Sequence, residues 1–389
     1  MSAGGLSEKR LGRMHDVMAG YVARGDVPGI VTLVSRRGEV HVDAIGTQAV
    51  GGHEPMRRDT IFRISSMTKP IAAVAALILI EECALRLDEP VDRLLPELAD
   101  RRVLKRLDGP LDDTVPARRP ITVRDLLTLR MGFGFIMGSP EAYPILGAVD
   151  EQQLGMGPPK PQTPHGQDEW LRRFATLPLM HQPGEQWMYD LGFAVLGVLI
   201  ARAAGQPLET FLRERILAPP AKLNRLASCY TTDADTGALE LYDGVADSQW
   251  CRPPAFPHAG GGLVSTVDDY VAFGQMLLNG GKRGGERILS RLSIEAMTTD
   301  QLTPEQKLAS AAVPVFLDPR GWGFGVSVIT KRDDIAAVPG CYGWDGGLGT
   351  SWLSDPTEDM VTILLSQHLP PAENLSGDFR TLAYGAIDD

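Results

Sequence analysis

Apolar and polar residues follow two different periods along the chain, and the two periods occupy different regions. An apolar run at residues 30–34 is followed by a turn at Arg37 and Gly38, and residues 40–44 then alternate between apolar and polar side chains. A period of two is typical of half-buried strands, so this region predicts a β-hairpin. Strand-like patterns return only near the C-terminus, at residues 322–329, 350–353 and 360–366.

Between these strands the apolar residues have the spacing of helices. Residues 70–82 are apolar almost all round, which predicts a helix that is buried on every side. Residues 191–204 form a second apolar helix, which Gly205 ends. The other helix signals are a pattern that begins after Ser7, a capping box at Thr122 and Asp125, a cap at Ser265 or Thr266 before an apolar run that ends at Asn279, and a last helix from Ser376.

This distribution predicts a fold of the α/β (α+β) class. We expect an antiparallel sheet built from the N- and C-terminal segments and flanked by helices, with an all-helical domain inserted between them. Residues 1–65 and 320–389 would form the sheet domain, residues 66–319 the helical domain, and a functional site would lie at their interface. Residues 132–184 are rich in Gly and Pro and carry one short helical pattern around Trp170. A loop this long usually borders a site.

Composition and charge are those of a globular protein. The chain has 389 residues, of which 43% are hydrophobic and 22% are charged, and these are ordinary values. Its formal net charge of -11 argues against nucleic acid and membrane partners, because nucleic acid and anionic lipid both bind to a basic protein face. The sequence contains no signal for an oligomeric state.

Cysteine spacing and the apolar runs indicate a reducing, cytoplasmic location. The four cysteines are widely spread and form no C-x-x-C pair, which favours reduced thiols over a zinc site or a disulfide framework. The N-terminal residues carry charges where a secretory signal would be apolar. The longest apolar run, residues 71–80, is half of the ~20 residues that a membrane-spanning helix needs.

The candidate chemistry begins at Ser66 and Lys69, the only S-x-x-K pattern in the chain. Residues three apart share a helix face, so the amine can reach the hydroxyl. A serine hydroxyl is a weak nucleophile until a neighbouring base takes its proton. Desolvation and the positive end of a helix both disfavour an ammonium ion here. A single S-x-x-K also arises by chance, but this one opens the most apolar helix, where a lysine has little structural reason to lie.

Longer stretches around this motif resemble one family. These are PGIVTLVSRRGEV, DTIFRISSMTKPIAAVAALILIEE, LDEPVDRLLPEL, ITVRDLLTL, PGEQWMYDLGFAVLGVLIARAAG, GGGLVSTVDDYVAFGQMLLNGG and GWDGGLGTSW. They are similar to serine hydrolases of the β-lactamase and penicillin-binding-protein superfamily, and most to the esterase branch related to class C β-lactamases, the family VIII carboxylesterases. The resemblance covers nearly the whole chain in order and implies a β-lactamase/transpeptidase-like fold.

The resemblance also implies roles for matched residues. Ser66 would be the acylated nucleophile, Lys69 its proton-accepting partner, and Tyr189 the second-motif tyrosine that shares the acid–base work. The backbone N–H groups of Ser66 and Gly347 would form the oxyanion hole. If the resemblance is set aside, the alternative is that Tyr189 is a structural residue that packs before a helix.

The third motif and the pocket walls carry the expected substrate contacts. Trp344 and Gly346 would bind substrate, since a glycine lets it lie close to the strand edge; the alternative is that Asp345 and Gly346 form a hairpin turn. Phe135, like Phe133, is a candidate for the acyl pocket, with core packing as the alternative. Residues 129–131 replace the polar residues usual in the family before Gly132.

Departures from the lactamase pattern favour neutral esters. Lactamases and transpeptidases have a lysine at the position of Trp344, and that lysine holds the substrate carboxylate. The esterase branch has a tryptophan at this position, as this chain does. Leu191 replaces the asparagine that contacts the substrate amide. Asp345 would repel a carboxylate if it pointed inward, although strand alternation can turn it away.

The sequence therefore predicts a serine carboxylesterase that hydrolyses or transfers the acyl group of a small-molecule ester, with no metal or organic cofactor. A second interpretation is a β-lactamase or a D-amino-acid peptidase or amidase; Trp344, Leu191 and the missing export signal count against it. A third is a non-catalytic scaffold of the same fold, against which the presence of Ser66, Lys69 and Tyr189 counts. No G-x-S-x-G elbow, paired metal-ligand histidines, P-loop or dinucleotide fingerprint occurs.

Overall fold

The computed structural model describes residues 4–157, 161, 163–217, 225–233, 235–310 and 317–389. The helices are α1 (Glu8–Ala23), α2 (Thr68–Glu81), α3 (Val123–Leu127), α4 (Pro144–Glu151), α5 (Gln167–Thr176), α6 (Leu191–Ala204), α7 (Leu208–Arg215), α8 (Val267–Leu278), α9 (Arg291–Met297), α10 (Pro304–Ala309) and α11 (Leu375–Gly385). Short 3₁₀ helices occur at Ser65–Met67, Val91–Arg93, Pro96–Leu98 and Gln249–Cys251.

The strands are β1 (Gly29–Arg36), β2 (Glu39–Gly46), β3 (Phe62–Arg63), β4 (Arg102–Leu104), β5 (Thr114–Pro116), β6 (Cys229–Thr232), β7 (Leu239–Asp243), β8 (Val264–Ser265), β9 (Lys282–Arg283), β10 (Glu286–Arg287), β11 (Arg320–Trp322), β12 (Ser327–Ile329), β13 (Tyr342–Gly346), β14 (Thr350–Asp355), β15 (Met360–Leu365) and β16 (His368–Leu369).

A seven-stranded antiparallel sheet joins the two ends of the chain, which confirms the predicted fold class. Its strand order is β11-β12-β13-β14-β15-β1-β2. The N-terminal β1 pairs with the C-terminal β15, with Val31 opposite Leu365, and the predicted hairpin joins β1 to β2. Every residue of β1 is buried, because this strand lies inside the sheet and helices cover both of its faces.

Strand alternation divides the apolar side chains of β1 between two cores. Ile30 and Val34 pack with α1 and α11 on one face of the sheet. Val31 and Leu33 belong to the larger core on the other face, which extends into the helical region. Helix α8 contacts β1, β14 and β15 on this face, so the sheet layer also includes a helix from the middle of the chain. The division at residues 65 and 320 stays a prediction.

Helix α2 is buried on every side, as its apolar sequence predicts. Residues Thr68–Leu79 are all buried, and the helix contacts α6 and α7. It begins two residues before Pro70, directly after the 3₁₀ helix Ser65–Met67. Pro70 is tolerated there because backbone N–H groups of a first helical turn have no intrahelical acceptor.

Helix ends agree with the predicted caps in most cases. Thr122 and Asp125 form the predicted capping box of α3, and Thr266, not Ser265, caps α8 through the Asp269 N–H. Helix α6 ends at a left-handed Gly205. Ser7 precedes α1, but its side chain makes no capping hydrogen bond.

Several sequence-based expectations about secondary structure were wrong. Strands are not confined to the ends of the chain, because β4 to β10 are short elements that pair within the middle segment or with β3 and β16. The stretch 132–184 holds α4 in addition to the expected α5. Residues 322–329 form parts of two paired strands, β11 and β12. The break includes Gly325, whose φ is +75°, a value that interrupts an extended strand.

No single helix in the described ranges is long and apolar enough to cross a membrane. Within these ranges, only α6 and α7 taken together reach the required length and apolar composition, and they are bent by 75° relative to each other. All four cysteines are free thiols, and two of them, Cys229 and Cys341, are buried.

Candidate active site

Ser66 lies in the 3₁₀ helix Ser65–Met67, at the point where the chain enters α2. Two elements distant in sequence form hydrogen bonds to this turn. The Tyr270 hydroxyl of α8 donates a hydrogen bond to the Met67 carbonyl at 2.9 Å, and burial raises the pKa of Tyr270 well above its ordinary value, which keeps the phenol protonated as a donor. The Thr350 hydroxyl of β14 donates to the Ile64 carbonyl at 3.3 Å.

Strand β13 packs directly against the turn that carries Ser66. A Cβ atom at Gly346 would lie 2.5 Å from the Ile64 carbonyl oxygen, so only glycine allows this approach. Gly347 follows in the connection between β13 and β14, and a Cβ atom there would meet nothing within 4 Å. The space beside Gly347 is therefore open.

Lys69 is fully buried, and its amine contacts groups from three parts of the chain. Nζ donates to Ser66 Oγ at 3.1 Å and to the carbonyl oxygen of Gly260 at 2.8 Å. It also lies 3.6 Å from the Asp190 carboxylate and 4.5 Å from the centre of the Tyr189 ring. The predicted Ser66–Lys69 contact is thus present, within a cluster that the S-x-x-K spacing alone does not specify.

Tyr189 connects this cluster to β13. Its hydroxyl oxygen accepts a hydrogen bond from the indole N–H of Trp344 at 2.9 Å, and the two ring centres lie 5.5 Å apart. Its carbonyl oxygen accepts the backbone N–H of Phe135 at 2.8 Å. Ser66, Lys69, Tyr189 and Trp344 therefore lie together, with the Phe135 backbone at the edge of the group.

Strand alternation places Asp345 on the opposite side of β13 from Trp344. Its carboxylate forms an ion pair with Arg380 of α11. Residues 347–349 make the connection between β13 and β14, since Gly346 pairs with Thr350. Asp345 and Gly346 are consequently strand residues, and the hairpin-turn alternative for them is wrong.

The candidate wall residues separate into core and surface positions. Phe133 is fully buried and meets Phe174 edge-on, with ring centres 5.1 Å apart, so it is a core residue. Phe135 is 49% exposed beside Tyr189, and Met137 is 76% exposed nearby in sequence. Leu191 is buried at the start of α6 and presents no polar group in place of the family asparagine. Leu129 and Met131 are also buried in the core.

No sequence pattern indicated two titratable residues that lie next to Lys69. Asp190 has φ 94° and ψ -85°, a strained conformation for a non-glycine residue and one that tends to occur at functional sites. His258 accepts the Gly260 N–H on Nδ1 at 2.9 Å. Burial lowers the pKa of His258, and the charge of Lys69 acts in the same direction against the opposing effect of Asp190. The only sequence signal was the position of Asp190 directly after the motif tyrosine.

The arrangement supports proton transfer at an alcohol. The Lys69 amine contacts both the Ser66 hydroxyl and the Tyr189 ring, and the half-buried Asp190 carboxylate lies beside the amine. Among the described residues, no three His, Cys, Asp or Glu side chains are grouped as a metal site would require.

Comparisons with known proteins show the family of this chain. The model of the Beta-lactamase family matches residues 14–386. Protein Rv1367c of Mycobacterium tuberculosis is 39% identical over 363 residues, which cover 89% of this chain and 87% of that protein. Esterase EstB of Burkholderia gladioli is 30% identical over 368 residues, which cover 87% and 85% of the two chains.

The structure of EstCE1, described as a hydrolase with promiscuous acyltransferase activity, superposes with a TM-score of 0.78 at 24% identity and covers 98% of both chains. This likeness confirms the predicted fold, and the relatives confirm the family resemblance.

Proposed function

The chain belongs to the beta-lactamase family, and we propose that within this family it is a serine carboxylesterase that forms an acyl-enzyme on Ser66. The observation that carries the proposal is the 3.1 Å contact between Lys69 Nζ and Ser66 Oγ at the start of a buried helix. The 30% identity to an esterase over most of both chains supports the same reaction class.

In the proposed acylation step, Ser66 Oγ attacks the ester carbonyl and gives its proton to the pair formed by Lys69 and Tyr189. Lys69 is within hydrogen-bond distance of Oγ, which is the geometric requirement for a general base. The Tyr189 phenol then donates a proton to the leaving alkoxide. The indole N–H of Trp344 supports this role because it holds the phenol oxygen from the other side.

The tetrahedral intermediate needs hydrogen-bond donors at its oxyanion. We assign these to the backbone N–H groups of Ser66 and Gly347, because β13 packs against the Ser66 turn and the space beside Gly347 is open. Preorganised donors of this kind contribute about 10²–10³-fold to rate. Water then cleaves the acyl-enzyme, and an alcohol or amine that reaches the same position would be acylated instead.

The charge around the site favours neutral esters over β-lactams and D-alanyl peptides. Trp344 supplies an aromatic ring and one N–H where a carboxylate substrate would need a cation. Asp345 is paired with Arg380 away from Tyr189, so it neither binds nor repels substrate. Leu191 is buried and leaves a substrate amide without a partner.

The test compares hydrolysis of p-nitrophenyl butyrate with that of nitrocefin, together with intact-mass analysis after exposure to a fluorophosphonate. We expect turnover of the ester, much slower turnover of nitrocefin, and a single covalent adduct that Ser66→Ala abolishes. Ser65→Ala is the matched control and should keep the adduct. Faster nitrocefin turnover would support the β-lactamase interpretation, and a folded wild-type protein without an adduct would support the scaffold interpretation.

A further inference from the structure

A cavity of about 550 Å³ lies on the other side of α2 from the proposed catalytic residues. Thr68 and Ile71 of α2 line it, and at 100° per residue Ile71 lies about 160° around the helix from Lys69. None of Ser66, Lys69 and Tyr189 lines the cavity. Its volume falls within the range of about 300–1,000 Å³ that small-molecule sites occupy.

The interior of this cavity is apolar. Helix α7 contributes Leu208 and Leu212, and α8 contributes Phe273 and Met276. These side chains also belong to the main hydrophobic core. An alkyl chain would therefore exchange water for apolar contacts along the length of the cavity.

Three arginines from separate elements line the same cavity, namely Arg213 of α7, Arg252 after the 3₁₀ helix Gln249–Cys251, and Arg283 of β9. All three are exposed. The acidic lining residues are Glu209 and Asp269, and the Asp269 carboxylate accepts the Thr266 hydroxyl at 2.9 Å. The lining is therefore net positive.

We propose that this cavity binds an amphipathic carboxylate of the fatty-acid class, with its alkyl chain in the apolar interior and its carboxylate at the arginines. Guanidinium groups match a carboxylate with paired, charge-assisted hydrogen bonds. A carboxylic acid is also the product class of ester hydrolysis, but the binding does not depend on turnover. The cavity and the Ser66 site can thus be tested separately.

The cysteines provide the readout. Cys251 lines the cavity, Cys83 is exposed at the C-terminal end of α2, and Cys229 and Cys341 are buried. Iodoacetamide labelling of each cysteine is followed by peptide mass spectrometry in the Ser66→Ala variant, which removes turnover. Decanoate is used below its micelle concentration and at levels that leave Cys229 and Cys341 unlabelled.

We expect decanoate to slow the labelling of Cys251 about fivefold when its concentration is about four times its Kd, because only the free protein reacts. Labelling of Cys83 should not change, and acetate should protect neither thiol. Ala272→Phe, which places a large side chain in the cavity lining, should abolish the protection while the protein keeps a cooperative melting transition.

The arginines are tested by Arg213→Gln, Arg252→Gln and Arg283→Gln combined in one variant, with Arg13→Gln on the exposed side of α1 as the matched control. The triple variant should bind decanoate about tenfold more weakly, and the control should bind it normally. Equal protection of Cys83 and Cys251, no protection of either, or unchanged decanoate affinity in the triple variant would overturn the proposal. Loss of esterase activity would not bear on it.

Discussion

Two fully buried basic side chains, Arg63 and Lys69, flank the candidate nucleophile, and their surroundings differ. Arg63 donates to the Ala227 carbonyl at 2.6 Å, to the Gln367 side chain at 3.0 Å and to the carboxylate of Asp243. All of these acceptors belong to the surrounding framework. Arg63 therefore connects β3 to β7 and to the segment that follows β15, close to Ser66 in sequence.

Lys69 is equally buried, but one of its acceptors is a hydroxyl that can react. Its closest framework partner is the Gly260 carbonyl at 2.8 Å, and its carboxylate neighbour Asp190 is more distant, at 3.6 Å. A buried charge that contacts only framework groups holds a structure in place. A buried lysine whose amine contacts a free hydroxyl is in position, in its neutral form, to accept a proton from it.

The largest effect that this comparison predicts is on catalysis. Lys69→Met should lower kcat/KM for p-nitrophenyl butyrate by about 10³-fold or more, because Ser66 loses the group that accepts its proton. The melting temperature should change less than in an Arg63 variant. Activity within tenfold of the wild type would show that Lys69 is not the proton acceptor.

The largest effect on stability is predicted for Arg63→Met. The substitution leaves Asp243 buried without its cation, and breaking a buried pair in this way costs about 3–5 kcal/mol in the free energy of unfolding. Denaturant unfolding followed by circular dichroism measures this value.

Adding Asp243→Asn to Arg63→Met provides the control. The double variant should be more stable than Arg63→Met alone, because it removes the unpaired charge. A single variant as stable as the wild type would contradict the structural role of Arg63.

A smaller effect is predicted at the outer contact of the Lys69 cluster. Trp344→Phe removes the N–H donor to Tyr189 but keeps an aromatic ring, and the loss of one hydrogen bond should lower kcat/KM about two- to tenfold. A double-mutant cycle with Tyr189→Phe separates this contact from other functions of Trp344. If Trp344 acts through Tyr189, the second substitution in either order should add little.

The smallest effect concerns pH. The lowered pKa of His258 means that the unfolded chain binds a proton more readily than the folded protein, so stability falls as pH decreases through the ordinary histidine value of 6.5. If the folded state stays neutral at this residue, the loss is at most about 0.7 kcal/mol between pH 7 and pH 6.

His258→Gln should reduce the pH dependence of the unfolding free energy by this amount, and His53→Gln, at an exposed histidine, should leave it unchanged. The same slope in wild type and His258→Gln would show that His258 does not titrate differently in the two states.

Local sequence determined the elements that depend on residues a few positions apart. The S-x-x-K spacing predicted the contact between Ser66 and Lys69, and an apolar run on all sides predicted the buried helix α2. The alternation in residues 40–44 predicted the hairpin of β1 and β2. These features depend on helix and strand periods, which are properties of neighbouring residues.

Only the tertiary structure decided which distant groups meet at those elements. The Lys69 amine contacts a carbonyl 191 positions away in sequence, and Trp344 meets Tyr189 across 155 positions. The strained Asp190, the half-buried His258 and the arginine-lined cavity have no periodic pattern that would mark them. Their positions follow from how helices and sheet pack into one core, where close-packing and hydrogen-bond satisfaction act between residues regardless of their separation along the chain.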